Sequence, residues 1–212
     1  MNLKLTLLSL AFLFTGLNGA NEPELAEQLY KKLLKRRRAE QLAAIKGFQE
    51  SAKYDQATQT ISALGERVFA IIQDSRAVME SSPFIPGVSD FPLDENIRDA
   101  LSNIIENTAM FSELILRFPD RSVAMLKTNN IWNVLLQWAI SYCYQVKYLL
   151  DESTIKVLSL ASQELNHVPR DPGYVNPYRR AQQKKNQLEE EQQLPKKKRK
   201  KLKKGPRLHD EF

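Results

Sequence analysis

Between residues 97 and 118 the sequence carries a regular series of side chains spaced alternately four and three residues apart. They are Ile97, Leu101, Ile104, Thr108, Phe111, Ile115 and Phe118. This spacing places them on one face of a helix over three heptads. Such a helix can pair with another chain in a coiled coil or form the centre of a bundle. We favour the bundle, because other amphipathic segments flank it.

Helical periodicity extends through most of the chain between residues 22 and 177. It predicts helices over residues 22–51, 55–80, 94–118, 120–127, 130–150 and 153–166, with the fifth the most buried. The linker over residues 81–92 contains three prolines and a glycine, and its Phe84, Ile85 and Phe91 suggest that it packs against the body. Only 7 glycines occur in the chain, which argues against a turn-rich β fold. We therefore predict an all-α protein, a single bundle of five to six helices over residues 22–177.

The N-terminus has the pattern of a secretory signal peptide. Lys4 precedes an apolar run over residues 5–14, and small or polar residues lead to Ala20, where we predict cleavage. The alternative is an ordinary buried helix. We expect residues 1–20 to be removed. No later apolar run is long enough to predict a membrane span.

The C-terminal tetrapeptide resembles the retrieval signals of endoplasmic reticulum (ER) proteins, with Phe in the last position. It consists of His209, Asp210, Glu211 and Phe212. Because two independent signals at opposite ends indicate the same compartment, we predict an ER-lumenal protein that is bound by a retrieval receptor. The alternative is a chance acidic end. Phe in the last position is expected to weaken retention and allow some secretion.

The charge of the chain is concentrated near this end. The whole chain has a net charge of +6, yet residues 178–212 carry 13 basic and 5 acidic side chains. We predict a disordered basic tail over residues 178–208. Its densest run is open to three interpretations: a spacer, a contact for an acidic partner or anionic surface, or a nuclear import signal. This run consists of Lys196, Lys197, Lys198, Arg199, Lys200 and Lys201. Because it lacks aromatic residues, we expect no nucleic-acid binding.

Few residues are suited to chemistry. One cysteine and two histidines exclude a disulfide framework and an ordinary Cys/His zinc site, so we predict no enzyme, metal or cofactor. Cys143 lies in an apolar stripe and is interpreted as a core residue, with a reactive thiol as the alternative. His167 is interpreted as a cation at a helix C-terminus. The pair Glu106 and Glu113, like the basic cluster over residues 35–38, is predicted to be solvent-exposed.

Several short motifs, taken in order, resemble the coiled-coil domain-containing protein 134 family, in an invertebrate form. They include Tyr30-Lys31-Lys32, Asp74-Ser75-Arg76, Glu106-Asn107-Thr108-Ala109, Leu116-Arg117-Phe118-Pro119, Trp132-Asn133, Trp138 with Cys143, and Gly205-Pro206-Arg207.

The resemblance implies a helical ER protein with a secreted fraction. It implies control of the N-glycosylation and stability of the ER chaperone endoplasmin, restraint of mitogen-activated kinase signalling, and a nuclear role. The functional hypotheses are therefore a non-enzymatic lumenal adaptor, a secreted signalling factor, and a nuclear adaptor that uses the tail. The resemblance is concentrated around Glu106, Asn107, Arg117 and Trp132, which makes them candidates for a binding surface or, alternatively, core residues.

Overall fold

The computed structural model describes residues 22–51 and 54–179. The predictions for Ala20, for Lys196 to Lys201 and for His209 to Phe212 lie outside these ranges. The described chain forms six α-helices, a 3-10 turn over Lys147–Leu149 and no strand, which confirms the all-α prediction. The helices are α1 (Glu22–Ser51), α2 (Tyr54–Ser81), α3 (Glu95–Arg117), α4 (Pro119–Thr128), α5 (Asn130–Gln145) and α6 (Glu152–Glu164).

Helix α3 is the centre of the bundle, as its heptad spacing predicts. It packs against α1, α2, α4, α5 and α6. Because partners surround it, 17 of its 23 residues are buried, including the heptad positions from Leu101 to Ile115. The prediction that the fifth helix is the most buried was wrong. Only 6 of the 16 residues of α5 are buried, and Ile131 and Val134 are 77% and 53% exposed, because its apolar stripe is wider than the surface its neighbours cover.

Side-chain caps set the starts of three helices. The carboxylate of Asp94 accepts a hydrogen bond from the backbone N–H of Ile97 at 3.1 Å, which satisfies a donor that α3 leaves unpaired. Asn129 caps α5 in the same way, and Asp151 caps α6. Pro119 ends α3 and begins α4, because its ring is compatible only with the first turn of a helix.

The linker between α2 and α3 packs against the body through Phe84 and Phe91, as predicted, while Ile85 is exposed. The ring of Phe91 lies 5.1 Å from that of Tyr30 on α1. Gly87 has a φ of 75°, and a Cβ at this position would lie 2.8 Å from the carbonyl oxygen of Gln145. The close approach and the backbone conformation both require glycine.

The first compact unit of the chain ends at Tyr174, and the second begins at Val175. In the described part of the second unit, the backbone N–H of Tyr178 donates to the Asn176 side-chain oxygen at 3.0 Å. A search of the described helices finds none with the length and apolarity needed to cross a bilayer.

Candidate functional site: a groove and a buried charge network

The four residues predicted as a candidate binding surface do not form a surface. Asn107 and Arg117 are only 2% and 5% exposed, the Glu106 side chain is 13% exposed, and Trp132 is half-buried. Asn107 donates to the backbone carbonyl of Asn103 at 2.8 Å within α3. The alternative interpretation, that they are core residues, describes Asn107 and Arg117, while Glu106 is partly buried. Only Trp132 takes part in an open site.

Arg117 belongs to a buried charge network between α1 and α3. Its Nε lies 3.2 Å from a carboxylate oxygen of Glu113, and its Nη1 donates to the Gln49 side chain at 2.7 Å. The other oxygen of Glu113 is 3.9 Å from Nη2 of Arg38, whose Nη1 donates to Gln41 at 3.0 Å. Glu113 therefore lies between two guanidinium groups, one from each helix.

This network corrects two sequence predictions. Glu113 was predicted at the surface and Arg38 on a solvated face, yet they are 3% and 8% exposed. Arg38 and Gln41 lie on the buried face of α1 between Leu34 and Ile45, because each is about one helical turn from the next buried residue. The charges can be buried there because they face opposite charges on α3.

Glu106 also lies at the interface between α1 and α3. Its carboxylate is 3.9 Å from Nε of Arg37. Burial raises its pKa to about 7, while the positive charges of Arg37 and Arg38 act in the opposite direction. This carboxyl group therefore titrates near neutral pH.

Trp132 lines a groove of about 850 Å³ between α2, α4 and α5. Its ring stacks on Phe69 with centroids 5.0 Å apart. Ile61 and Met125 form the apolar part of the lining, and polar side chains complete it; these are Thr58, Gln59, Ser62, Asp120, Arg121, Thr128 and Asn129. A cavity of this volume, lined by both apolar and polar side chains, is large enough for a binding site.

Cys143 and His167, the residues singled out from the sequence for possible chemistry, do not line the groove. Cys143 is fully buried, as predicted, and burial raises the pKa of its thiol to about 12, against the effects of Thr108 and Arg38. A protonated, inaccessible thiol is a poor nucleophile.

His167 lies three residues beyond α6, with Nε2 2.8 Å from the side-chain oxygen of Asn133. Burial lowers the pKa of His167, which disfavours the cationic form that the sequence analysis placed at the helix end. The helix end is instead satisfied by backbone bonds around Asn166, which adopts a φ of 57°. Within the described ranges, no group of three or more potential ligand side chains is placed to hold a metal ion.

Comparison with known proteins relates the whole chain to one family. The family model described as "ERK and JNK pathways, inhibitor" matches residues 17–209. Coiled-coil domain-containing protein 134 of Mus musculus is 34% identical over 203 residues, covering 91% of this chain and 87% of the relative. The Xenopus tropicalis protein of that name is 33% identical over 205 residues, covering 92% and 89%. The chain belongs to the coiled-coil domain-containing protein 134 family. Comparison with solved structures gives no match.

Most of the motifs by which the sequence resembles this family contribute to the packing of the bundle. The Glu106 to Ala109 motif lies in α3, where three of its four residues are buried. The motif that begins at Trp132 forms α5 and ends at the buried Cys143. Trp132 alone connects the family motifs to the groove, and neither the stacking partner Phe69 nor the groove itself was predicted from the sequence.

Proposed function

We propose that this chain is a non-enzymatic accessory protein of the ER lumen that acts by binding other proteins. The observation that carries the proposal is the pairing of two independent sequence signals. An apolar segment leading to Ala20 precedes the body, and His209 to Phe212 follow it. The first directs entry into the secretory pathway, and the second is suited to return from a later, more acidic compartment.

The described body supports binding better than catalysis. Its cysteine is fully buried and protonated, and the groove at Trp132 offers both apolar and polar side chains to a partner. The basic run from Lys196 to Lys201 would add contacts to an acidic partner. By resemblance, the leading partner is endoplasmin, and the proposed role is to support the control of its N-glycosylation and its stability.

To test this, an internally tagged chain is expressed at native level with and without Phe212, and its amounts in the ER and in the medium are measured. We expect the intact chain to remain in the ER and the truncated chain to appear in the medium. A chain lacking Leu208 instead, which keeps the C-terminal tetrapeptide, is the matched control and is expected to stay inside. Equal secretion of all three chains would refute the retrieval step.

A second candidate is a secreted factor that restrains mitogen-activated kinase signalling. It is favoured by the description of the family as inhibitors of the ERK and JNK pathways, and by Phe212 in place of the usual leucine. A large native-level fraction in the medium, with reduced ERK phosphorylation in cells given that medium, would favour this candidate over the lumenal one.

The nuclear adaptor remains a third hypothesis, which depends on an N-terminus that is not processed. Sequencing the N-terminus of the cellular protein separates it from the other two. A mature chain that begins at Asn21 would have passed through the secretory pathway, and the run from Lys196 to Lys201 would then not meet the nuclear import machinery.

A further inference from the structure

A smaller pocket, of about 160 Å³, lies between α1 and the start of α6. Three cationic side chains of α1 contribute to its lining, Lys31, Lys35 and Arg38, and three leucines form its apolar part, Leu34, Leu149 and Leu150. Asp151 and Thr154 complete it from the first turn of α6. A pocket that is both cationic and apolar fits a ligand that carries a negative charge next to an aliphatic group.

Arg38 lines the pocket and carries an unsatisfied donor. The residue is only 8% exposed, and its Nε–H is buried without a hydrogen-bond partner. Nη1 is bonded to Gln41, but Nη2 is 3.9 Å from Glu113, which is beyond hydrogen-bond distance. Burial lowers the pKa of Arg38, while Glu113, Asp151 and Glu106 favour its charged form. An incompletely bonded guanidinium this deeply buried is costly, and a carboxylate is the group that best matches its geometry.

The remaining charges favour an anion in this pocket. Lys31 is paired with Glu27 at 2.6 Å, whereas Lys35 is exposed and forms none of the ion pairs recorded for the described residues. Asp151 is the one carboxylate in the lining, and its Oδ1 is occupied by the backbone N–H of Thr154 at 2.7 Å and by Ser153. Among the three cationic groups, Lys35 therefore has no close carboxylate, and Arg38 shares Glu113 with Arg117.

We propose that this pocket binds an acidic side chain of a partner peptide, whose neighbouring apolar residue packs on Leu34, Leu149 and Leu150. The volume equals about five water molecules, enough for one carboxylate-bearing side chain. A peptide is favoured over a small anion because the apolar wall adds a second contact, and because the exposed Lys32 extends the positive charge of α1 beyond the pocket. This inference rests on the proposed function and adds the kind of partner that the body would bind. Binding is measured on purified protein, so a negative result here does not affect the test of retrieval in cells.

The probe is a fluorescein-labelled octapeptide of alternating Glu and Leu, titrated with the full chain at about 50 mM salt and followed by fluorescence anisotropy. We expect Lys35→Gln to weaken binding about fivefold, because it removes one close charge without disturbing the core. We expect Asp151→Asn to tighten binding about threefold, because asparagine caps a helix as well as aspartate and lacks the repelling charge. Lys46→Gln, an exposed lysine on the same helix outside the pocket, is the matched control and should have no effect.

The basic tail is the same in all of these chains, so differences between them report on the body. Amide signals of Leu150 and Thr154 in NMR spectra are expected to shift on titration. Three results would each overturn the proposal: equal weakening by Lys35→Gln and Lys46→Gln, equal affinity for a Glu-Ser peptide that lacks leucine, or unshifted signals at saturation. Equal affinity for a phosphoserine-Ser peptide or a heparin fragment would likewise replace it with general anion binding.

Discussion

Replacing Glu106 by glutamine is expected to stabilise the protein at alkaline pH. The pKa of this carboxyl group is raised from 4.5 to about 7 in the folded chain. A group whose pKa is raised by folding stabilises the fold while it is protonated. This contribution is complete below pH 4.5 and is lost as the pH rises through 7. The glutamine side chain resembles the protonated carboxyl group and does not titrate.

The size of the effect follows from the two pKa values. Between pH 5 and pH 8.5 the wild-type chain loses about 2–3 kcal/mol of unfolding free energy through Glu106 alone. Glu106→Gln does not suffer this loss, so the difference between the two chains should grow by that amount. With a urea m-value of about 2 kcal/mol/M, this corresponds to a shift in midpoint of about 1 M.

The assay is urea unfolding of the wild type and of Glu106→Gln at pH 5 and pH 8.5, followed by circular dichroism. Comparing the two chains at each pH cancels the titration of all other groups. Glu40→Gln removes an exposed carboxylate that pairs with Arg36 and Arg37, and it should change stability by less than about 0.5 kcal/mol at either pH. If Glu106→Gln is less stable than the wild type at pH 8.5, then Arg37 keeps Glu106 charged and the reasoning is refuted.

Two further predictions concern single positions. Gly87→Ala should destabilise the chain by about 1–3 kcal/mol, because the new Cβ would meet the carbonyl oxygen of Gln145 and the backbone has a positive φ. Gly173→Ala is the control and should have little effect, since no atom lies within 4 Å of the new Cβ. Similar midpoints of urea unfolding for the two variants would contradict this account. The Cys143 thiol should not react with Ellman's reagent in the native chain at pH 8, because it is buried and its pKa is raised to about 12. It should react fully in urea. A rapid reaction of the native chain would restore the interpretation of Cys143 as a reactive thiol.

The helices could be predicted from the sequence because their signals are local. Asp94 and Pro119 mark helix ends through their own backbone chemistry, and the heptad series from Ile97 indicates a buried face without reference to any partner. The predicted helix starts lie within one or two residues of those in the structure. The central position of α3 also followed, because other amphipathic segments were present to surround it.

The functional residues could not be predicted in the same way, because their environment depends on another helix. Glu113 has the spacing of a surface residue, and it is buried only because α1 presents Arg38 opposite it. A signal was present in the sequence: an arginine cluster in one helix and two glutamates seven residues apart in another. The spacing of α1 alone does not say that these groups meet. The pocket at Arg38 likewise requires α6, whose start is more than one hundred residues later in the sequence.

The central position of α3 also has a consequence for synthesis on the ribosome. Of the described helices, α1 and α2 precede it in the chain, so its faces for α4, α5 and α6 remain uncovered when it emerges. The 47 residues from the end of α3 to the end of α6 take about 2–10 s to translate at about 5–20 residues per second. For that time the nascent chain displays the apolar surface of α3 that the later helices cover. We therefore expect it to need helper proteins more than a bundle whose central helix is made last.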